Sequence, residues 1–329
     1  MLNSTCRFED PFHVTVTHYL CALFSIPIYG ISYTILLFKC PPHFYKYRNL
    51  LVIHITSGVL LEAHMGLWRA KVTFPWGALC ANGLLAEYSP NLFQLWNFLF
   101  QFTAFSTVTL FVHRMEIVNI GITKCQKVVY FLRYAFYLNL PLLFVFNIFT
   151  YQDLSNQNGY KMKMEEARNS KIPDFMWCSN CFFMIFDSWI FIIYYCLAYA
   201  AVLCAFLTGG LAAFVTIRSL NSINIHLSER SVRIQKNFLY SLVVAAFIHI
   251  AFIFIPLSIF FAANFLFLEW SSLSHYLTFI VQEHGAASTL VMLITNTLLR
   301  KAAIQMCFSL FSSLRVRKDV PSIMISYVA

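Results

Sequence analysis

The chain has 329 residues, of which 59% are hydrophobic, 18% aromatic and only 11% charged, against about 25% charged in ordinary soluble domains. That composition excludes a water-soluble globule, because its 35 Phe exceed what an aqueous core of this length hides behind a polar surface, so lipid is the solvent for much of it. The net charge of +9 does not point to nucleic acid, since the Lys and Arg lie between apolar runs rather than on one readout face.

In chain order, the opening MLNSTCRFEDPF lacks the basic start and short apolar core of a cleavable signal peptide, so the first membrane span is expected to do the targeting. Apolar runs of about 20 residues, the length that crosses the hydrocarbon core, recur seven times. They predict an all-α, polytopic membrane protein: an amino-terminal segment 1–15, a seven-transmembrane helix bundle over 16–298, and a tail 299–329. The spans are expected at 16–38, 50–68, 92–112, 128–150, 188–214, 238–262 and 273–298. The fifth is the least sharply bounded, because its apolar stretch exceeds one crossing.

Sixteen of the 23 Lys and Arg fall on one set of alternating loops and seven on the other. The positive-inside rule then places the amino terminus outside the cell and the carboxyl terminus in the cytoplasm. Asn3, in the sequon Asn3-Ser4-Thr5, is a glycosylation acceptor on the side the charges make external. The longest external loop, 151–180, carries KMKMEEARNSK and reads either as a solvated loop or as a lid over a cavity. Cys80 lies on the same side, in an oxidising compartment, and is expected to pair with Cys178 or Cys181. In the tail, Ile304, Phe308 and Phe311 recur at helical spacing before basic residues, which suits a short amphipathic helix on the cytoplasmic leaflet.

Ionisable residues inside the spans are the candidates for function, because they avoid lipid and face protein or water-filled space. Counted at about 1.5 Å per residue from the nearest cytoplasmic charge, Glu62, His249 and His284 fall roughly 20–24 Å deep on three helices. Together with Glu283, with His64 above and with Gln101 and Asp187 contributing, they are expected either to line a ligand pocket or to form an interhelical hydrogen-bond network. Pro256 marks a bend in the sixth span and Pro141 one in the fourth. Enzyme chemistry is not expected: no two His stand four apart, no GxSxG or HExxH occurs, and the lone CxxC, Cys178 to Cys181, has no second pair to make a metal site. No cofactor is implied.

Three stretches carry a family resemblance. IPIYGISYTILLFKCPPHFYKYRNLLVIHITSGVLLE (Ile26 to Glu62) resembles the first two helices of nematode serpentine chemoreceptors of class H, with class I next closest. SERSVRIQKNFLYSLVVAAFIHIAFIFIPLSIFF (Ser228 to Phe261) is similar to that family's sixth helix and its approach, and HGAASTLVMLITNTLLR (His284 to Arg300) to its seventh. FPWGALCANGLL (Phe74 to Leu85) resembles it more weakly. The chain departs from the pattern at Glu62, where aspartate is usual, and at NTLLR, where a Pro-Tyr-Arg ending is common; Asp-Arg-Tyr and Asn-Pro-x-x-Tyr are absent.

The resemblance implies a chemosensory G-protein-coupled receptor at the plasma membrane of sensory cilia. It would bind an external small molecule and activate a heterotrimeric G protein. Its G-protein face would include Arg114, in FVHRMEIV at the inner end of the third span, together with Arg233, Lys236 and Arg300. The sixth helix would swing about Pro256 as the two-state element. The alternative reading is a seven-helix ligand-gated channel or transporter, although no internal repeat of the transporter kind is visible.

Overall fold

The computed structural model describes residues 10–40, 45–118, 123–155, 157–185, 188–221, 228–266 and 271–318. Within them, seven helical segments are long and apolar enough to cross a membrane. The chain is thus a seven-transmembrane helix bundle, and Phe24, Phe38, Phe131, Leu138 and Phe247, all largely exposed, form part of the apolar outer surface that lipid covers.

The first crossing is α1 (Phe12–Thr34) continued by a π-helical turn (Ile35–Lys39), and the second is α2 (Tyr45–Trp68). The third is α3 (Ser89–Val118) and the fourth α4 (Lys124–Ser155). Thr123 and Gln126 open α4 reciprocally, each side chain accepting from the other's backbone N–H, a capping box. A short helix, α5 (Gln157–Arg168), precedes the fifth crossing, α6 (Trp189–Leu220). The sixth crossing is α7 (Glu229–His249), a π-helical turn (Ile250–Phe254) and α8 (Ile255–Phe265), with Ser228 capping its start. The seventh is α9 (Ser271–Thr295). Asn296 ends it and caps α10 (Thr297–Lys318), its Oδ1 accepting from Leu298 and Leu299 N–H. Most crossings run past the expected apolar runs, because their last turns are amphipathic and carry charge where the helix leaves the hydrocarbon.

One feature was not predicted. Residues Ala70–Thr73 (β1), Ala78–Ala81 (β2) and Cys181–Phe183 (β3) form an antiparallel sheet in the order β1-β2-β3. Ala70 pairs with Ala81 and Cys80 with Cys181 in register. A tight turn at Phe74-Pro75-Trp76-Gly77 joins the first two strands, and Gly77 takes φ 68°, a conformation that favours glycine. Cys80 and Cys181 are disulfide-bonded, and Cys178 is also in a disulfide. The 151–180 segment is correspondingly more ordered than a loop, with α4 extending to Ser155 and α5 packing against β3.

The helices pack unevenly. α9 lies among α1, α2 and α7, whereas α6 packs along α3 and α4 and meets α7 at few points. Where α2 crosses α9, Gly58 faces Gly285. A Cβ on Gly285 would sit 2.9 Å from Gly58 Cα and 2.6 Å from the Tyr29 hydroxyl oxygen, so only glycine permits this crossing.

Candidate ligand cavity and arginine clamp

The loose side of the bundle holds a cavity of about 500 Å³ between α3, α6 and the α7–α8 crossing, within the ~300–1,000 Å³ range of small-molecule sites. Its walls are mostly apolar. Trp96 and Phe100 come from α3, Tyr194 and Ala205 from α6, and Val243 and Ile253 from the sixth crossing. The polar lining is sparse: Asn97, Gln101, Thr103 and Thr107 on α3, Tyr194, Tyr195 and Tyr199 on α6, His249 and Ser258 on the sixth crossing, and Thr278 on α9. Among the described residues, no Asp, Glu, Lys or Arg lines the cavity.

The sheet is the roof. Ala70, Val72 and Leu79 line the cavity and are all at least nine-tenths buried. Ser274 donates to Val72 O, which ties the roof to α9. Behind the roof, Lys161 of α5 is buried and donates to Met176 O at 2.7 Å and Cys181 O at 3.0 Å. Burial pushes its pKa down to about 8, because losing water disfavours the ammonium form. Lys71 on β1 meets Asp10 at 3.4 Å. Burial lowers its pKa too, and the Asp10 carboxylate opposes the shift.

The residues singled out from sequence divide into two groups rather than forming one layer. Gln101 and His249 line the cavity. Glu62 and Glu283 instead sit with α1: Tyr29 donates to Glu62 Oε2 at 2.7 Å and Ser25 to Glu283 Oε2 at 3.2 Å. Beside them Gln282 Oε1 lies 2.6 Å from His18 Nδ1. His284, on another face of α9, is buried in the bundle centre and donates from Nδ1 to Val281 O at 2.8 Å. Its ring stands 5.6 Å from that of His249, which in turn lies 5.4 Å from His54. His64 packs its ring on Trp68 at 5.4 Å. Asp187 and Asn3 lie outside the described residues.

The expectation of a common depth for Glu62 and His249 therefore needs correction: the α2 residue facing His249 is His54, about two turns from Glu62. The reference charges do not lie in one plane. Arg48 stands one turn inside α2, Lys236 two turns inside α7, and the count back from Arg300 crosses the break at Asn296.

At the other end of the bundle Arg114, expected at the G-protein face, is 1% exposed. Its guanidinium lies 3.3 Å from the Tyr47 ring centroid and 4.3 Å from that of Phe238, and Nη1 donates to Gln235 Oε1 at 2.6 Å. No acid pairs with it among the described residues. Cation–π contact, worth about 2 kcal/mol when desolvated, clamps α3 to α2 and α7. Arg233, Lys236 and Arg300 are exposed at this end. Pro256 opens α8 directly after the π-helical turn, so the sixth crossing is irregular at the level where it lines the cavity.

Sequence reasoning missed His54, Tyr47, Gln235 and Trp96. The first three point inward only once helix phase is known. Trp96, within a run of aromatics, has no signal separating it from lipid-facing neighbours.

A family model described as serpentine type 7TM GPCR chemoreceptor Srh matches residues 9–309. No curated protein and no solved structure matches the chain.

Proposed function

This chain belongs to the Srh family of serpentine seven-transmembrane G-protein-coupled chemoreceptors, and from that premise we propose that it binds an external small molecule in the cavity between α3, α6 and the α7–α8 crossing and signals to a heterotrimeric G protein. The observation that carries the proposal is that one irregular crossing touches both ends of the device. His249, Ile253 and Leu257 line the cavity, while Gln235 and Phe238 of the same crossing hold Arg114. A ligand shifts this equilibrium only by binding one arrangement better than the other. The π-helical turn and Pro256 let the α7 half move against the α8 half, and the movement frees Arg114 beside exposed Arg233, Lys236 and Arg300. Glu62, His64, Glu283 and His284 act in this reading as the polar frame against which the sixth crossing moves.

The amino terminus, with glycosylated Asn3, faces outward in this reading, and the basic loops and amphipathic α10 meet the G protein and the lipid of the inner leaflet. The receptor resides in the plasma membrane of sensory cilia. A glycosidase mobility shift that disappears in Asn3→Gln tests the topology. Function is tested by screening small-molecule extracts on expressing cells with a calcium or cAMP readout. Gln235→Leu is expected to raise basal signalling, and Pro256→Ala to alter signalling more than surface expression. A ligand-evoked current without G protein would instead favour the channel reading.

A further inference from the structure

The roof and the side of the cavity differ in what they leave open. At the roof, Trp68, Ala70, Val72 and Leu79 are buried, the Cys80–Cys181 bridge pins β2 to β3, and Ser274 holds β1 to α9. At the side, between α6 and the sixth crossing, residues that line the same cavity are exposed on the bundle's outer surface: Tyr199 53%, Phe206 42%, Phe247 63% and Phe254 42%. α6 hardly touches that crossing along this seam. Phe206 and Phe254 meet across it edge to face, with ring centroids 5.8 Å apart, and are two side chains able to swing on ordinary rotamer changes.

The occupant is constrained by the lining. With no Asp, Glu, Lys or Arg among the described lining residues, a charged ligand would lose its hydration without gaining a counter-ion from them. Trp96 lines the cavity, and its indole Nε1 is buried without a hydrogen-bond partner among the described residues. An indole N–H only donates, so the group that satisfies it is an acceptor.

We propose that the ligand is a neutral, apolar small molecule with one hydrogen-bond acceptor, such as a ketone, ester or ether, and that it enters from the bilayer through the seam gated by Phe206 and Phe254 rather than through the roof. This rests on the cavity being the receptor's ligand site. Partitioning into lipid concentrates such a molecule at the seam, and the same step excludes ionised compounds.

The test uses the full chain in lipid nanodiscs and the neutral fluorophore N-phenyl-1-naphthylamine, followed by energy transfer from the protein's tryptophans. Phe206→Cys with Phe254→Cys, joined by a short reducible bifunctional methanethiosulfonate, closes the seam; wild type treated with the reagent controls for native cysteines. Cross-linking is expected to slow probe entry about tenfold or more, and reduction to restore it. Unchanged entry overturns the route, while the cavity stands if Ala198→Phe with Ala205→Phe still abolishes saturable transfer. If that filled variant binds the probe as wild type does, the cavity itself is not the site. Among competitors, 2-decanone is expected to displace the probe better than decane and far better than decanoate, with the ketone's advantage lost in Trp96→Phe. A better decanoate overturns the ligand class. Binding that appears only after lipid is stripped shows a resident acyl chain and also overturns it.

Discussion

The two sides of the bundle are held differently. Around α9, backbones touch at Gly58 and Gly285, and Tyr29–Glu62, Ser25–Glu283 and His18–Gln282 tie α1, α2 and α9 through polar side chains. Along α6 and the sixth crossing the contact is sparse and apolar, with Phe206 against Phe254 and a cavity behind. A crossing fixed by backbone contact and hydrogen bonds has one arrangement; a seam of a few rings has several of similar energy. The first side is a frame and the second is where a ligand and a movement fit.

That contrast can be broken most forcefully at the roof of the cavity, which Ser274 ties to α9 of the frame. Removing the bridge in Cys80→Ala with Cys181→Ala is expected to lower stability by about 2–5 kcal/mol, read as a lower Tm in detergent. Next, Gly285→Ala forces a methyl against Gly58 Cα and the Tyr29 hydroxyl, and overpacking of this kind costs about 1–3 kcal/mol. A third handle is Lys161. Its pKa of about 8 in the folded chain lies below the unfolded value of about 10.4, so between these values the unfolded chain binds more protons and stability rises with pH. Thermal melts from pH 7.5 to 10.5 should show that rise, and Lys161→Met should flatten it. The smallest effect belongs to the seam: Gly210 of α6 lines the cavity, and a Cβ there meets nothing within 4 Å. Gly210→Ala should therefore leave Tm unchanged or raise it slightly, by up to about 1 kcal/mol of helix propensity. Equal damage from Gly210→Ala and Gly285→Ala would erase the distinction.

Most of the bundle was legible because twenty-residue apolar runs are a solvent requirement, independent of what the helices touch. The sheet was not: AKVT, ALCA and CFF are too short to alternate visibly, and β3 joins β2 from 101 residues away, Cys80 to Cys181. The one local sign of the hairpin, the Pro and Gly of FPWG between two short runs, went unread. The site was half legible. Polar residues inside spans did mark interior faces, as Glu62, His249 and His284 show. Which face each meets depends on helix phase and tilt, so Glu283 and His284, adjacent in sequence, turned toward different partners. An apolar cavity leaves no sequence mark, because its lining reads like any buried span.

The most direct measurement is the dose response of G-protein activation to an activator found by extract screening, in two variants matched for surface expression. Ala198→Phe with Ala205→Phe fills the cavity on α6, and Glu283→Gln alters the frame. The account predicts that the filled variant loses the response and that Glu283→Gln keeps the potency of wild type. A normal response in the filled variant, with loss in Glu283→Gln, would contradict it.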